Sequence, residues 1–243
     1  MSLTAKLLLS PVLVAQAVAT RGRMPRLPEA AGPRQGEVGS GPLLRLLIVG
    51  DSSAAGVGVA QQRDALSGHL SRALAAQCGA RVRWQLLARS GITSAQCLRM
   101  IEAAAPAPAD VAVVVLGVND VVEQVPSRRA VAAREAIANR LRNAHGAAHV
   151  VFAPLPPVRR FPGLPQPLRW VAGADAQRHD QAVARWAAER DDVSHVPIDL
   201  PLHHGVMADD GFHPGKPVYR VCGVALAEHI ATHVWPRLRP AAH

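Results

Sequence analysis

Leu46-Leu47-Ile48-Val49-Gly50-Asp51-Ser52-Ser53 decides the fold class. Four consecutive apolar residues closed by glycine read as a strand buried on both faces. In parallel α/β sheets, ligands gather beyond the carboxyl ends of such strands. Ser52 therefore stands where a buried strand runs out into a loop, a place where a nucleophile can be held. Taken alone, Gly50-Asp51-Ser52 is equally a plain strand-ending turn, so its meaning depends on what recurs downstream.

Three further segments repeat the arrangement with different chemistry. Arg81 to Ala88 ends in Arg89-Ser90-Gly91, Val111 to Leu116 ends in Gly117-Val118-Asn119-Asp120, and Asp210-Gly211-Phe212-His213 lies near the C-terminus. Together they supply a hydroxyl, a glycine amide, a carboxamide and an Asp/His pair. A serine esterase needs those parts: a nucleophile, a base, a carboxylate to orient the base, and donors for the oxyanion. Among the 11 histidines, His213 alone lies three residues after an aspartate in a Gly/Pro-rich loop. Asp209 is adjacent, and spacing does not separate it from Asp210.

At these residues the chain resembles the SGNH hydrolases, also called the GDSL esterase/lipase family, over about residues 44–235. The resemblance implies Ser52 as nucleophile, His213 as base and Asp210 as its orienter. It also implies the Gly91 amide and the Asn119 side chain as oxyanion donors, beside the Ser52 amide. Asp51 and Asp120 read as structural, fixing the loops that present Ser52 and Asn119. One departure is Ser53, which stands at the leucine of the GDSL pattern, outside the reaction chemistry. The family accepts lysophospholipids, thioesters, aryl esters and acetylated sugars. An acyl-serine mechanism with no metal or organic cofactor follows from the resemblance.

Composition narrows the alternatives. With 243 residues, one α/β domain is the simplest reading. Hydrophobic residues make up 49% and aromatic ones 3%, so the core is built from Ala, Val and Leu. Lys and Arg total 27 against 18 Asp and Glu, and all but Lys6 and Lys216 are arginine. The arginines are scattered and stacking residues scarce, which argues against nucleic acid as a partner. Cys78, Cys97 and Cys222 show no CxxC and read as small apolar residues; one pair could bridge in an oxidising compartment. After Gly56-Val57-Gly58 neither a dinucleotide nor a phosphate-loop pattern is completed. The α/β-hydrolase elbow fails because Ala54 replaces its second glycine. His203 and His204, before Asp209, Asp210 and His213, raise a metal-dependent hydrolase, but no H-E-x-x-H pattern occurs. A non-catalytic ligand-binding module on the same fold, or a carbohydrate deacetylase, remains open.

Residues 1–20 hold an apolar run, Leu7 to Ala19, preceded by Lys6, interrupted by Pro11 and ending in small-x-small Ala17-Val18-Ala19. A secretory signal is one reading. The run is too short to span a bilayer, and Arg21, Arg23 and Arg26 follow it, so an interfacial anchor and a buried segment are the others. Export to the periplasm or peripheral membrane contact would follow from the first two. Residues 21–42, rich in Pro, Gly and Arg, read as a linker, leaving 43–238 as the catalytic domain.

Within that domain, strands alternate with helices, as in a parallel sheet with right-handed crossovers. Helices are predicted over Ala60–Gln77, Thr93–Ala104, Arg128–Asn143, Ala174–Glu189 and Pro217–Val234, with further strands over His149–Ala153 and Val193–Ile198. The expected fold is a three-layer α/β/α sandwich around a mostly parallel five-stranded sheet, flavodoxin-like in outline. Pro154 to Gly173 holds six prolines with Phe161, Leu164, Leu168 and Trp170. It can form neither a long helix nor a regular strand. It reads as an apolar wall over the acyl group of a lipid-like ester, or equally as a proline-stiffened loop.

Overall fold

The computed structural model describes residues 3–200 and 202–238. Six strands form one sheet: β1 (Gln35–Val38), β2 (Leu43–Gly50), β3 (Arg81–Ala88), β4 (Val111–Val115), β5 (His149–Phe152) and β6 (Val193–His195), in the order β1-β3-β2-β4-β5-β6. All neighbours are parallel except β1 against β3. The chain passes from β2 to β3 on one side and then to β4 on the other. The carboxyl ends of β2, β3 and β4 therefore border a topological switch point, where such sheets open a crevice.

The sheet is six-stranded, not five-stranded as the sequence suggested. The extra strand comes from Gln35-Gly36-Glu37-Val38, inside the segment read as linker. Gln35 and Glu37 can be polar because an edge strand needs no continuous apolar run. Glu37 pairs with Arg81 and Arg83 on β3. Gly36 lies close under the Trp84 ring, and a Cβ there would lie 3.0 Å from Trp84 Nε1, so a larger residue would have to push the ring aside.

Helices cover both faces. α3 (Leu66–Cys78) and α8 (Lys216–His229) pack on Leu44, Leu46, Ile48, Val82 and Val113 through Leu70, Leu74 and Leu226. The opposite face, with Leu47, Val49, Val114 and Phe152, is covered by α4 (Ser94–Ala104), α6 (Ser127–His145) and α7 (Leu168–Ala188). Alternation of apolar residues between the faces follows from the two-residue period of a strand. Short helices α2 (Ser52–Ala55) and α5 (Val118–Val122) open directly from β2 and β4.

Boundaries moved where local chemistry was misread. α3 starts at Leu66 because Gln62–Asp64 is a separate 3-10 turn. α7 starts at Leu168, inside the segment predicted to lack a long helix, because the last proline is Pro167 and an N-terminal neighbour suits proline. β6 ends at His195, two residues before Pro197, which has no N–H for a sheet ladder. At the N-terminus, α1 (Leu3–Arg23) continues through Pro11 at the loss of one helical hydrogen bond.

Candidate active site

Ser52 is the first residue of α2, and Asp51 is its cap. Asp51 Oδ1 accepts from the Ser53 amide at 3.0 Å, and the Asp51 amide donates to the Val115 carbonyl at 3.1 Å. The turn after β2 is thus tied to β4, and Ser52 projects from the carboxyl edge of the sheet.

Asp210-Gly211-Phe212-His213 folds back over that edge. His213 Nε2 lies 3.1 Å from Ser52 Oγ, and His213 Nδ1 lies 2.6 Å from Asp210 Oδ2. The other Asp210 oxygen accepts from the Phe212 and His213 amides, each at 2.9 Å. Burial alone would push the Asp210 pKa up, but the His213 ring, the His213 amide and the Phe212 amide together hold it below the ordinary value. Asp210 is therefore a carboxylate that can only accept, which places the ring proton on Nδ1 and leaves Nε2 free to accept from the serine hydroxyl. Asp209 is exposed.

Gly91 and Asn119, the donors expected from the sequence, lie just beyond the neighbouring strand ends. Gly91, after β3, has φ +78°, a backbone that favours glycine, and a Cβ there would meet open space. Asn119 lies on α5. Its Nδ2 donates to the Ile92 carbonyl at 3.1 Å and to Asp51 Oδ2 at 3.3 Å.

Behind these loops lies a buried ionic network. Asp120 accepts from the Ser94 amide at 3.0 Å and the Ser94 hydroxyl at 2.6 Å, so the start of α4 is tied to α5. Arg134 Nη2 lies 3.2 Å from Asp120 and also donates to the Leu116 carbonyl at 3.2 Å. Both side chains of the Arg134–Asp120 pair are buried. Asp51 is buried as well, and its pKa is raised to about 6, mainly by desolvation. The Ser53 amide and His213 oppose the rise, while Asp120 adds to it.

The Pro-rich segment abuts the base loop. The Gly163 amide donates to the Gly211 carbonyl at 2.9 Å, and the Phe161, Phe212 and His213 rings form consecutive edge contacts at 5.1 and 5.2 Å. Phe161 and Leu164 are buried in an apolar cluster with Val121, Leu155 and Val218. Leu168 is half-buried and Trp170 exposed.

Reading motifs alone missed Arg134, although its position was informative. It falls in the stripe Ala130, Arg134, Ile137, Ala138, Leu141 that faces the sheet, where an arginine needs a buried partner. Glu29, whose carboxylate reaches Ser90, had no signal in the sequence. His203 and His204 are exposed, and among the described residues no group of three or more His, Cys, Asp or Glu is placed to hold a metal. The three cysteines are unpaired, with thiol pKa values pushed by burial to about 11 for Cys78 and about 12 for Cys97 and Cys222.

A hydroxyl, an imidazole and a carboxylate in line, beside a glycine amide and a carboxamide at the switch point of an α/β sheet, are the constellation of a serine hydrolase. The sequence model of the GDSL-like lipase/acylhydrolase family matches residues 48–221, and the chain belongs to that family. It is a carboxylic ester hydrolase of the GDSL/SGNH type. A GDSL-like esterase of Mycobacterium tuberculosis is 31% identical over 235 residues, covering 86% of this chain and 72% of the relative. Among solved structures, a lipase from a goat rumen metagenome aligns with a TM-score of 0.62 at 16% identity, over 81% of this chain and 100% of its own. The structure of TesA aligns with a TM-score of 0.55 at 25% identity, over 81% of this chain and 98% of its own.

Proposed function

We propose that the chain hydrolyses carboxylic esters through an acyl-Ser52 intermediate, with a preference for lipid-like acyl groups. The 3.1 Å contact from Ser52 Oγ to His213 Nε2 carries this reading. Ser52 Oγ attacks the ester carbonyl as its proton passes to His213 Nε2. The imidazolium so formed is stabilised by the Asp210 carboxylate. Negative charge on the carbonyl oxygen is met by the Ser52 and Gly91 amides and the Asn119 carboxamide, whose contact to Asp51, at 3.3 Å, is the longer of its two. Collapse breaks the bond to the alkoxide, which takes the proton from His213. Water then attacks the acyl-serine, giving its proton to His213, and the acid and Ser52 are released.

The lean towards acyl chains rests on Phe212 and the Phe161 ring behind it, beside His213. Leu168 packs against the same apolar cluster as Phe212, and Phe161 and Leu164 support it from within. Hydrolysis of p-nitrophenyl esters from acetyl to palmitoyl, beside Ser52→Ala and with chelator present, tests the proposal. Turnover should be lost in Ser52→Ala, be indifferent to chelator and rise towards the longer chains. Turnover in Ser52→Ala would overturn the acyl-serine mechanism, and a preference for acetyl would overturn the acyl-chain reading in favour of a deacetylase.

We also propose that α1 lies on an anionic lipid surface. Its outward residues Val12, Val14 and Val18 are exposed, and Arg21, Arg23 and Arg26 follow them. Gln16 holds the helix to the start of α7, donating to the Gln166 carbonyl at 2.6 Å and accepting from the Leu168 amide at 3.0 Å, which brings exposed Trp170 into the same region. No described helix is long and apolar enough to cross a membrane, which suits an interfacial position. The full chain should co-sediment with phosphatidylglycerol vesicles and much less with phosphatidylcholine, and Val14→Asp/Val18→Asp should abolish the binding. Equal sedimentation of that variant, or a dimer in solution that buries α1, would overturn it.

A further inference from the structure

Residues 29–34 do more than lead into β1. The Ala30 amide donates to the Ala55 carbonyl at the end of α2, and the Ala31 amide to the Ala60 carbonyl. Gln62 Nε2 closes the seam with bonds to the Ala30 and Ala55 carbonyls at 3.1 and 2.9 Å. The segment is thus attached to the helix that carries Ser52. From it, Glu29 reaches across to the end of β3: Oε1 accepts from both the Ser90 amide and the Ser90 hydroxyl, each at 2.8 Å. Arg34 pairs with Glu29 Oε2, and its other terminal nitrogen donates to the Ala88 carbonyl at 2.7 Å. Burial would raise the Glu29 pKa, but the Ser90 bonds and Arg34 outweigh it and keep the carboxylate ionised.

Ser90 is the residue whose backbone torsions set the direction of the Gly91 N–H. Gly91 itself, at φ +78° with open space where a Cβ would be, has no side chain to hold that direction. Two bonds to one carboxylate oxygen, from the Ser90 amide and the Ser90 hydroxyl, hold the Ser90 Cα from which the Gly91 peptide plane departs.

We infer that Glu29 is a positioning residue for the oxyanion loop: it clamps Ser90 so that the Gly91 amide faces the carbonyl reacting at Ser52. The inference rests on the acyl-serine reading and assigns the segment before β1 to the reaction machinery. A donor displaced by about 1 Å costs up to about 100-fold in rate. The ion pair is partly exposed, so it adds little to stability.

Glu29→Ala is expected to lower kcat by about 10- to 100-fold with little change in KM or Tm. Amide hydrogen exchange at Ser90 and Gly91 should accelerate by about tenfold or more. Glu29→Gln keeps an oxygen that accepts from Ser90 and should recover most of both losses. If Glu29→Ala does not fold, Ser90→Ala, which removes one of the two bonds, should show smaller changes in the same direction. Unchanged exchange at Ser90 and Gly91 in the folded variants would overturn the inference. So would a kcat near that of the unmodified protein, or a Gln variant as impaired as the Ala variant. Lack of turnover by the unmodified protein would instead remove the esterase reading, and the exchange rates would still decide whether Glu29 holds the loop.

Discussion

Replacing His213 with alanine is expected to lower kcat on the order of 10⁶-fold. Nothing else described stands within hydrogen-bond reach to take the Ser52 proton, whereas His213 Nε2 does so at 3.1 Å. Asp210→Asn should cost about 10⁴-fold, because an amide can donate to Nδ1 and favour the tautomer that cannot accept from the hydroxyl. Two controls make the result specific. Asp209 is exposed, so Asp209→Asn should leave kcat unchanged. His195 and Asp180 form a second His/Asp pair at 2.8 Å, but Asp180 there also holds the Leu155 amide and no contact joins the pair to Ser52. His195→Ala should therefore spare kcat in the folded protein. Steady-state rates on one aryl ester decide the matter. A loss in Asp209→Asn equal to that in Asp210→Asn would move the orienting role to Asp209, and full activity in His213→Ala would require another base.

Arg134→Met is expected to destabilise the fold by about 3–5 kcal/mol, the cost of leaving a buried charge without its partner. Burial lowers the Arg134 pKa while Asp120 and Asp51 act to raise it, so the guanidinium is held by its neighbours. Without it, Asp120 keeps the Ser94 bonds but faces Asp51 with no intervening cation. Neutralising the second partner should recover much of the loss: Arg134→Met/Asp120→Asn is expected to be more stable than Arg134→Met alone, since an amide needs no counter-charge. Its kcat should nevertheless fall below that of the unmodified protein, because an Asn side chain has one accepting oxygen where Asp120 uses two, one for the Ser94 amide and one for the Ser94 hydroxyl. Chemical denaturation gives the first quantity and ester turnover the second. A loss below about 1 kcal/mol in Arg134→Met, the range of an exposed pair, would show that the pair is not energetically buried.

These two experiments probe residues that differ in how readable they were. Ser52, Gly91, Asn119 and His213 each follow or stand near a short, recognisable pattern, because a parallel sheet places its chemistry at strand ends. Strand and helix periodicity located β2 to β6 for the same reason. β1 was hidden because an edge strand lined by Gln35 and Glu37 has no apolar run to announce it. The start of α7 was hidden because the prolines before it spoke against helix up to Pro167 and were silent after it.

The sequence by itself determined the fold class and the family, and it named the groups we propose to react, since all of these depend on local alternation and on motifs a few residues long. Only the tertiary structure decided which carboxylate serves which partner. Asp210 rather than Asp209 is turned inward, Arg134 meets Asp120 across the α5–α6 interface, and Glu29 reaches Ser90 across 61 positions of chain. Burial and close approach between distant segments set those pairings, and neither is a property of the residues next to them in the chain.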